Sequence, residues 1–299
     1  MTVKELWDLF SSPSPINEPR VAPEDFYILL SHATHKERVL LLTHPEYALS
    51  LPEEAVVMDF FARRLSHEPV ALIVGHKEFY GRDFRVTKDT LIPRPETELI
   101  VECALEKIMA QTDKRIDYVD IGTGSGCIAI SVAKTLFETH PPIFPHIYFF
   151  ATDDSPRAIA IAKRNARTHN TEKEISFLCG DLLTPYSASH TKPRHHLIIT
   201  ANLPYLSQDL YDNAPVDVRD FEPKSALVSG RDGLSHYCRL LDSLAIDSFK
   251  KESIVLLLEI SPEQASPLQA YIRALFPQAH LALHKDLAQK DRVLEVDFL

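Results

Sequence analysis

Glycine is scarce in this chain, at eight of 299 residues, under half the usual share of about 7%. Three of the eight stand at Gly122, Gly124 and Gly126, and a chain so sparing with glycine is expected to keep it where backbone geometry demands it. Cysteine is sparse as well. Cys103, Cys127, Cys179 and Cys238 form no Cys-x-x-Cys pair, which speaks against a disulfide framework or a zinc site and predicts reduced thiols in a cytoplasmic protein. No His-Glu-x-x-His motif occurs among the fourteen histidines. His195 and His196 precede an apolar strand, where neighbours point to opposite faces, so no metal is expected. Long apolar runs are missing: a stretch such as residues 254–258 falls far short of the roughly 18 residues of a membrane span. The first seven residues are charged and amphipathic, which predicts no signal peptide. Basic charge is in deficit, with 32 Lys and Arg against 42 Asp and Glu and a net charge of −10. Proteins that grip nucleic acid usually carry a basic footprint, so neither direct nucleic-acid binding nor membrane attachment is expected.

What is present falls into two regimes. Up to about residue 74 the apolar spacing is helical: Leu6, Trp7 and Phe10 make one stripe. Pro23 opens a helix carrying Phe26, Tyr27, Leu29 and Leu30, and Pro52 opens another with Val56, Val57, Phe60, Phe61 and Leu65. Residues 79–92 change to period two around Gly81, which predicts a β-hairpin linker. Pro93 and Pro95 break that pattern ahead of a helix expected over residues 96–109. Thereafter strands are expected at residues 118–121, 147–152, 175–179, 197–200 and 254–260, with a closing pair at 281–284 and 292–298. Helices intervene at 127–136, after Ser155, from about His236 and after Ser261. This rhythm implies a parallel sheet covered by helices on both faces.

The segment Asp120-Ile-Gly-Thr-Gly-Ser-Gly126 follows a strand and opens a helix. Bare glycines let the backbone approach a ligand closely, and the helix start offers free N–H groups. A dinucleotide fingerprint would need glycine at position 127, where Cys127 stands. The form found here suits the methionine part of S-adenosylmethionine, though a nicotinamide cofactor remains in competition at this loop. Asp153 ends the second strand, where a carboxylate can accept ribose hydroxyls, while Asp154 serves the following turn. Leu182, after the third strand, is expected to border adenine.

The fourth strand runs into Asn202-Leu203-Pro204-Tyr205. The asparagine can accept from an –NH2 group, the next main-chain carbonyl can accept its second hydrogen, and the tyrosine ring can stack on a planar amide or base. Such a trap orients a nitrogen of little basicity rather than deprotonating it. Read as structure alone, Asn-x-Pro is a plain turn.

At these residues the sequence resembles the release-factor glutamine methyltransferases, the PrmC or HemK family. Residues 69–75, 78–84 and 91–98 look like that family's linker signature, and residues 221–227, 230–233 and 258–260 with Asp286, Asp291 and Arg292 match its C-terminal half. The resemblance implies an α/β, seven-stranded Rossmann-like class I methyltransferase domain over residues 94–299. A small helical substrate-docking domain (1–74) and a β-hairpin linker (75–93) would precede it. It implies S-adenosyl-L-methionine held by Gly122, Thr123, Gly124, Ser125, Gly126, Asp153, Leu182 and Asn202. Asn202, Pro204 and Tyr205 would be catalytic, and together with Leu203 would hold the glutamine of a Gly-Gly-Gln loop. The partners it implies are peptide-chain release factors, met in the cytoplasm by a monomeric enzyme.

One residue departs from the family. Leu203 stands where the first proline of Asn-Pro-Pro-Tyr is usual, and Asn-Leu-Pro-Tyr is also carried by ribosomal-RNA adenine dimethyltransferases. The alternatives are therefore an RNA adenine methyltransferase and an inactive binding protein of the same fold; charge, the helical N-terminus and the linker signature weigh against the first. Because Pro204 still restrains position 203, Leu203→Pro is expected to leave turnover unchanged or raise it a few-fold.

Overall fold

The computed structural model describes residues 1–11, 20–111, 115–189, 196–245 and 253–298. His195 of the histidine pair lies outside them. The chain divides into two units, Met1–His76 with Pro215–Phe221, and Lys77–Ala214 with Glu222–Leu299.

The first unit is helical: α1 (Val3–Phe10), α2 (Pro23–Thr34), α3 (Arg38–Thr43), α4 (Leu51–Leu65) and α5 (Val70–Val74). Its core gathers Leu6, Phe26, Leu29, Leu30, Val57 and Phe61, the residues of the three helical stripes. Trp7 stacks on Tyr27 and meets Phe26 edge-on, and Phe26 packs against Phe61. Val56, expected on the same stripe, is 40% exposed. Helix α3 is too short for periodicity to announce, and it leaves Val39 and Leu42 outside, 68% and 52% exposed.

The second unit begins with the hairpin strands β1 (His76–Phe79) and β2 (Arg82–Arg85). They start earlier than the alternation suggested because the turn sits at Tyr80 and Gly81, both at positive φ. That pairing suits the twist of a two-residue hairpin turn, but a tyrosine gives no sign of it in sequence.

The main sheet contains β3 (Ile116–Ile121), β4 (Ile147–Asp153), β5 (Ile175–Cys179), β6 (His196–Ala201), β7 (Ser253–Glu259), β8 (His280–Lys285) and β9 (Asp291–Phe298). Their order is β5-β4-β3-β6-β7-β9-β8. The first five run parallel, and β9 joins antiparallel to both β7 and β8. Helices α6 (Glu98–Met109) and α7 (Cys127–Thr139) share one core with Tyr118, Phe149 and Ile198. Helices α8 (Ser235–Leu244) and α9 (Ala265–Leu275) share the other with Val119, Phe150 and Ile199. Adjacent strand residues thus supply opposite cores, which is why these strands read as continuous apolar runs. The seven-stranded α/β fold is the expected one. Strand order reverses at β3, with β4 on one side and β6 on the other, and that reversal opens a crevice beyond the carboxyl ends.

Candidate active site

A cleft partly open to solvent lies at this crevice, where ligands of open α/β sheets are bound. Its wall includes Gly122, Thr123, Gly124 and Ser125 after β3, Asp153 at the end of β4, and Leu182 after β5. The loop is built on a buried acid. Asp120, fully buried, accepts from the Thr123 hydroxyl at 2.7 Å and from the Thr200 hydroxyl at 2.8 Å. Burial pushes its carboxyl up to about 6 despite those bonds. Asp153, expected to accept ribose hydroxyls, accepts from the Gly124 amide and from the Ser155 amide, each at 2.9 Å, so it also braces the glycine loop and takes the turn contact expected of Asp154. Burial raises its carboxyl too.

The three loop glycines do different things. All have positive φ. A side chain at Gly124 would meet only the Gly122 carbonyl, at 4.0 Å, and would stand in the cleft. At Gly122 a Cβ would come within 3.0 Å of Leu203. At Gly126 it would overlap Ile130 at 2.9 Å and Ala162 at 3.2 Å. Gly126 does not line the cleft; it lets α7 pack closely and stands one step removed from the ligand role expected of it.

Asn202, Leu203 and Pro204 reach the same cleft from the end of β6. The Asn202 side-chain amide donates to the Thr97 hydroxyl at 3.2 Å. The Leu203 amide donates to the Tyr237 hydroxyl at 3.3 Å, and that hydroxyl in turn donates to the Glu259 carbonyl. Tyr205 is half-buried against the second core and is not part of the cleft lining. Its carbonyl passes so close to Gly233 that a Cβ there would stand 2.2 Å from the oxygen. Burial raises the Tyr205 phenol, as does the charge of Glu259. The linker is tied in at the same place: Glu222, 5% exposed, accepts from the Ile92 amide at 2.9 Å and pairs with Arg94, which lines the cleft.

Residues 17–75 match the family model for the PrmC N-terminal domain. The chain is 37% identical over 226 residues to the release factor glutamine methyltransferase of Nitratidesulfovibrio vulgaris, spanning 76% of this chain and 70% of that relative. It is 35% identical over 278 residues to that of Koribacter versatilis, spanning 91% of each. The chain belongs to the release factor glutamine methyltransferase family. Among solved structures, the human METTL16 catalytic domain in complex with MAT2A 3′UTR hairpin 1 has a TM-score of 0.56 at 18% identity, covering 81% of both chains. At that identity the likeness concerns the fold alone.

In this release factor glutamine methyltransferase family member, Leu203 is more than a substitute for proline. Its amide hydrogen is used, its side chain is 4% exposed, and it packs on the donor-loop glycine Gly122. Proline could supply neither the amide donor nor the leucine side chain, so the expected effect of Leu203→Pro moves from unchanged or a few-fold gain to a few-fold loss. Thr97, Tyr237 and Gly233 did not stand out as site residues. The motifs containing Thr97 and Gly233 were visible, but their contact with the 202–205 turn was not.

Glu259, 2% exposed at the end of β7, has one oxygen without a hydrogen-bond partner among the described residues. Burial pushes its carboxyl from 4.5 up to about 7; the Thr97 hydroxyl and Arg292 pull it partway back, and Glu96 opposes them. A carboxyl raised by folding stabilises the native state fully below its unfolded value and loses that contribution as pH rises through the folded value. From pH 8 down to pH 6 the protein should therefore gain about 1.4 kcal/mol from this group. Asp120 acts at lower pH, between 3.8 and about 6. Chemical denaturation of the wild type and Glu259→Gln across pH 6–8 checks this: the difference in their stabilities should change by that amount. A pH-independent difference would show that Glu259 does not titrate there.

Proposed function

We propose that this protein transfers a methyl group from S-adenosyl-L-methionine to the side-chain amide nitrogen of the glutamine in the Gly-Gly-Gln motif of peptide-chain release factors. The observation that carries the reading is one shared cleft. The bare backbone at Gly124 and the carboxylate of Asp153 stand on one part of its wall, and Asn202 and Pro204 on another. The fit to the donor is supported by the cradle itself: Gly124 leaves open the space that a side chain would fill. Asp153, beside it, keeps lone pairs available to ribose hydroxyls beyond its two main-chain bonds. Gly122, Thr123, Ser125 and Leu182 complete the donor side, with Gly126 acting through helix packing.

The donor supplies an electrophilic methyl group. An amide nitrogen has almost no basicity, so the protein's task is to aim its lone pair. Asn202 gives one amide hydrogen to Thr97, which fixes the opposite face of the amide. Its oxygen is then available to accept from the substrate –NH2. The Leu203 carbonyl takes the second hydrogen, Pro204 stiffens the turn, and Tyr205 anchors that turn from the core behind the cleft rather than stacking on the amide. Nothing in this set acts as a strong base, and none is required: once it gains the methyl group the amide nitrogen is strongly acidic and gives up one N–H proton to water.

Residues 94–299 are the catalytic domain in this reading, 75–93 the linker and 1–74 the docking domain, working in the cytoplasm on a protein rather than on nucleic acid. The neighbouring exposed residues Val39, Leu40 and Leu42 on α3 support docking, since grouped rather than single exposed apolar side chains mark interaction sites. Val39→Ser with Leu42→Ser is expected to raise KM for intact release factor about tenfold, with donor affinity and thermal stability unchanged; an unaltered KM removes α3 from the docking surface. The functional test is incubation with labelled donor and, in parallel, release factor and ribosomal RNA. Label in the release factor alone is expected. Label in RNA alone would transfer the assignment to the adenine methyltransferases.

A further inference from the structure

The β6–β7 ladder stops at the pair Ala201 and Leu258. Beyond it the two strands carry the residues that matter: Asn202 and Leu203 on one, Glu259 on the other. No direct main-chain bond joins Leu203 to Glu259; the Tyr237 hydroxyl stands between them. It accepts from the Leu203 amide at 3.3 Å and donates to the Glu259 carbonyl. A phenol has one hydrogen to give and lone pairs to receive, so this one takes the place of the next rung of the ladder. Tyr237 is fully buried on α8, and burial holds its phenol well above 10.0, so the hydroxyl keeps its hydrogen. Two further contacts fix the same turn. The Leu203 side chain rests close on Gly122, and the Tyr205 carbonyl passes over Gly233 at a distance only glycine permits.

We propose that Tyr237 is a positioning residue for the methyl transfer: its hydroxyl clamps the Leu203 amide to the end of β7 and so pre-orders the Asn202 side chain and the Leu203 carbonyl. This rests on the substrate reading above and adds to it a residue that touches neither substrate nor donor. Leucine at position 203 makes the clamp possible, since only a residue with an amide hydrogen can use it. The chain thereby obtains from a buried hydrogen bond the order that a proline ring would supply by restricting φ.

The test is a double-mutant cycle with Tyr237→Phe and Leu203→Pro, measured as kcat and KM on release factor together with donor affinity by calorimetry. Tyr237→Phe leaves the Leu203 amide buried without an acceptor, and kcat should fall about tenfold with donor affinity unchanged. In the Leu203→Pro background, which has no amide hydrogen to strand, the same change should cost less than about twofold. Equal losses in both backgrounds, or a lower melting temperature with unchanged kcat, would overturn the proposal. If Leu203→Pro does not fold, hydrogen exchange decides. The Leu203 amide should exchange at least about a hundredfold faster in Tyr237→Phe, and unchanged protection would overturn the clamp. Wild-type turnover is the internal control: its absence on release factor sinks the substrate reading, whereas an additive cycle on an active enzyme sinks only the clamp.

Discussion

Asn202→Ala should lower turnover on release factor at least a hundredfold, about 2.7 kcal/mol of lost transition-state stabilisation, while the fold survives and the donor still binds. The side chain is half-buried, and among the described residues it hydrogen-bonds to Thr97. Losing that single neutral bond costs the fold only about 1 kcal/mol. What disappears is the acceptor that holds the substrate –NH2 in line. A misaimed nitrogen loses most of its reactivity because alignment is the whole of the protein's contribution here. Steady-state kinetics with saturating donor, alongside calorimetry, measures both halves. A variant keeping more than about a tenth of the wild-type rate would limit the contribution of Asn202 to roughly 1.4 kcal/mol, too little for the role proposed.

Gly124→Val should abolish donor binding. The position has φ +55, where a β-branched residue is strained, and its open side is the cleft itself. The valine methyl groups would enter the space offered to the ligand, and the Gly124 amide would move off Asp153, now 2.9 Å away. Calorimetry on a folded variant, checked by circular dichroism, should show no detectable binding. Donor affinity within tenfold of wild type would remove the loop from the donor site.

Asn202 and Gly124 are legible in the amino-acid sequence because each carries its meaning locally. A glycine cluster between a strand and a helix, in a chain with eight glycines, has few readings. The central strands are equally plain, since residues 197–201 and 254–258 are buried on both faces and apolar almost throughout. Alternation places the hairpin too late because Tyr80 adopts a left-handed conformation that only its neighbour Gly81 announces. Thr97 and Tyr237 are beyond sequence reading for a different reason. Thr97 meets Asn202 across 105 positions, and Tyr237 meets Leu203 across 34. Periodicity reports which face a residue occupies, and nothing about which partner stands opposite. Gly126 carries the right signal, a required glycine, but the neighbour that requires it is Ala162 on another helix. Leu203 reads as a gap in a motif, and only the hydrogen bond made by its amide gives it a purpose.

The most direct measurement is mass spectrometry of a release factor after incubation with this protein and S-adenosyl-L-methionine, with fragmentation across the Gly-Gly-Gln loop. The account predicts one added methyl group, on the side-chain nitrogen of that glutamine. Asn202→Ala, assayed for the same time, should leave the peptide essentially unmodified. An unmodified glutamine with the wild-type protein, or a methyl group on another residue, would contradict it.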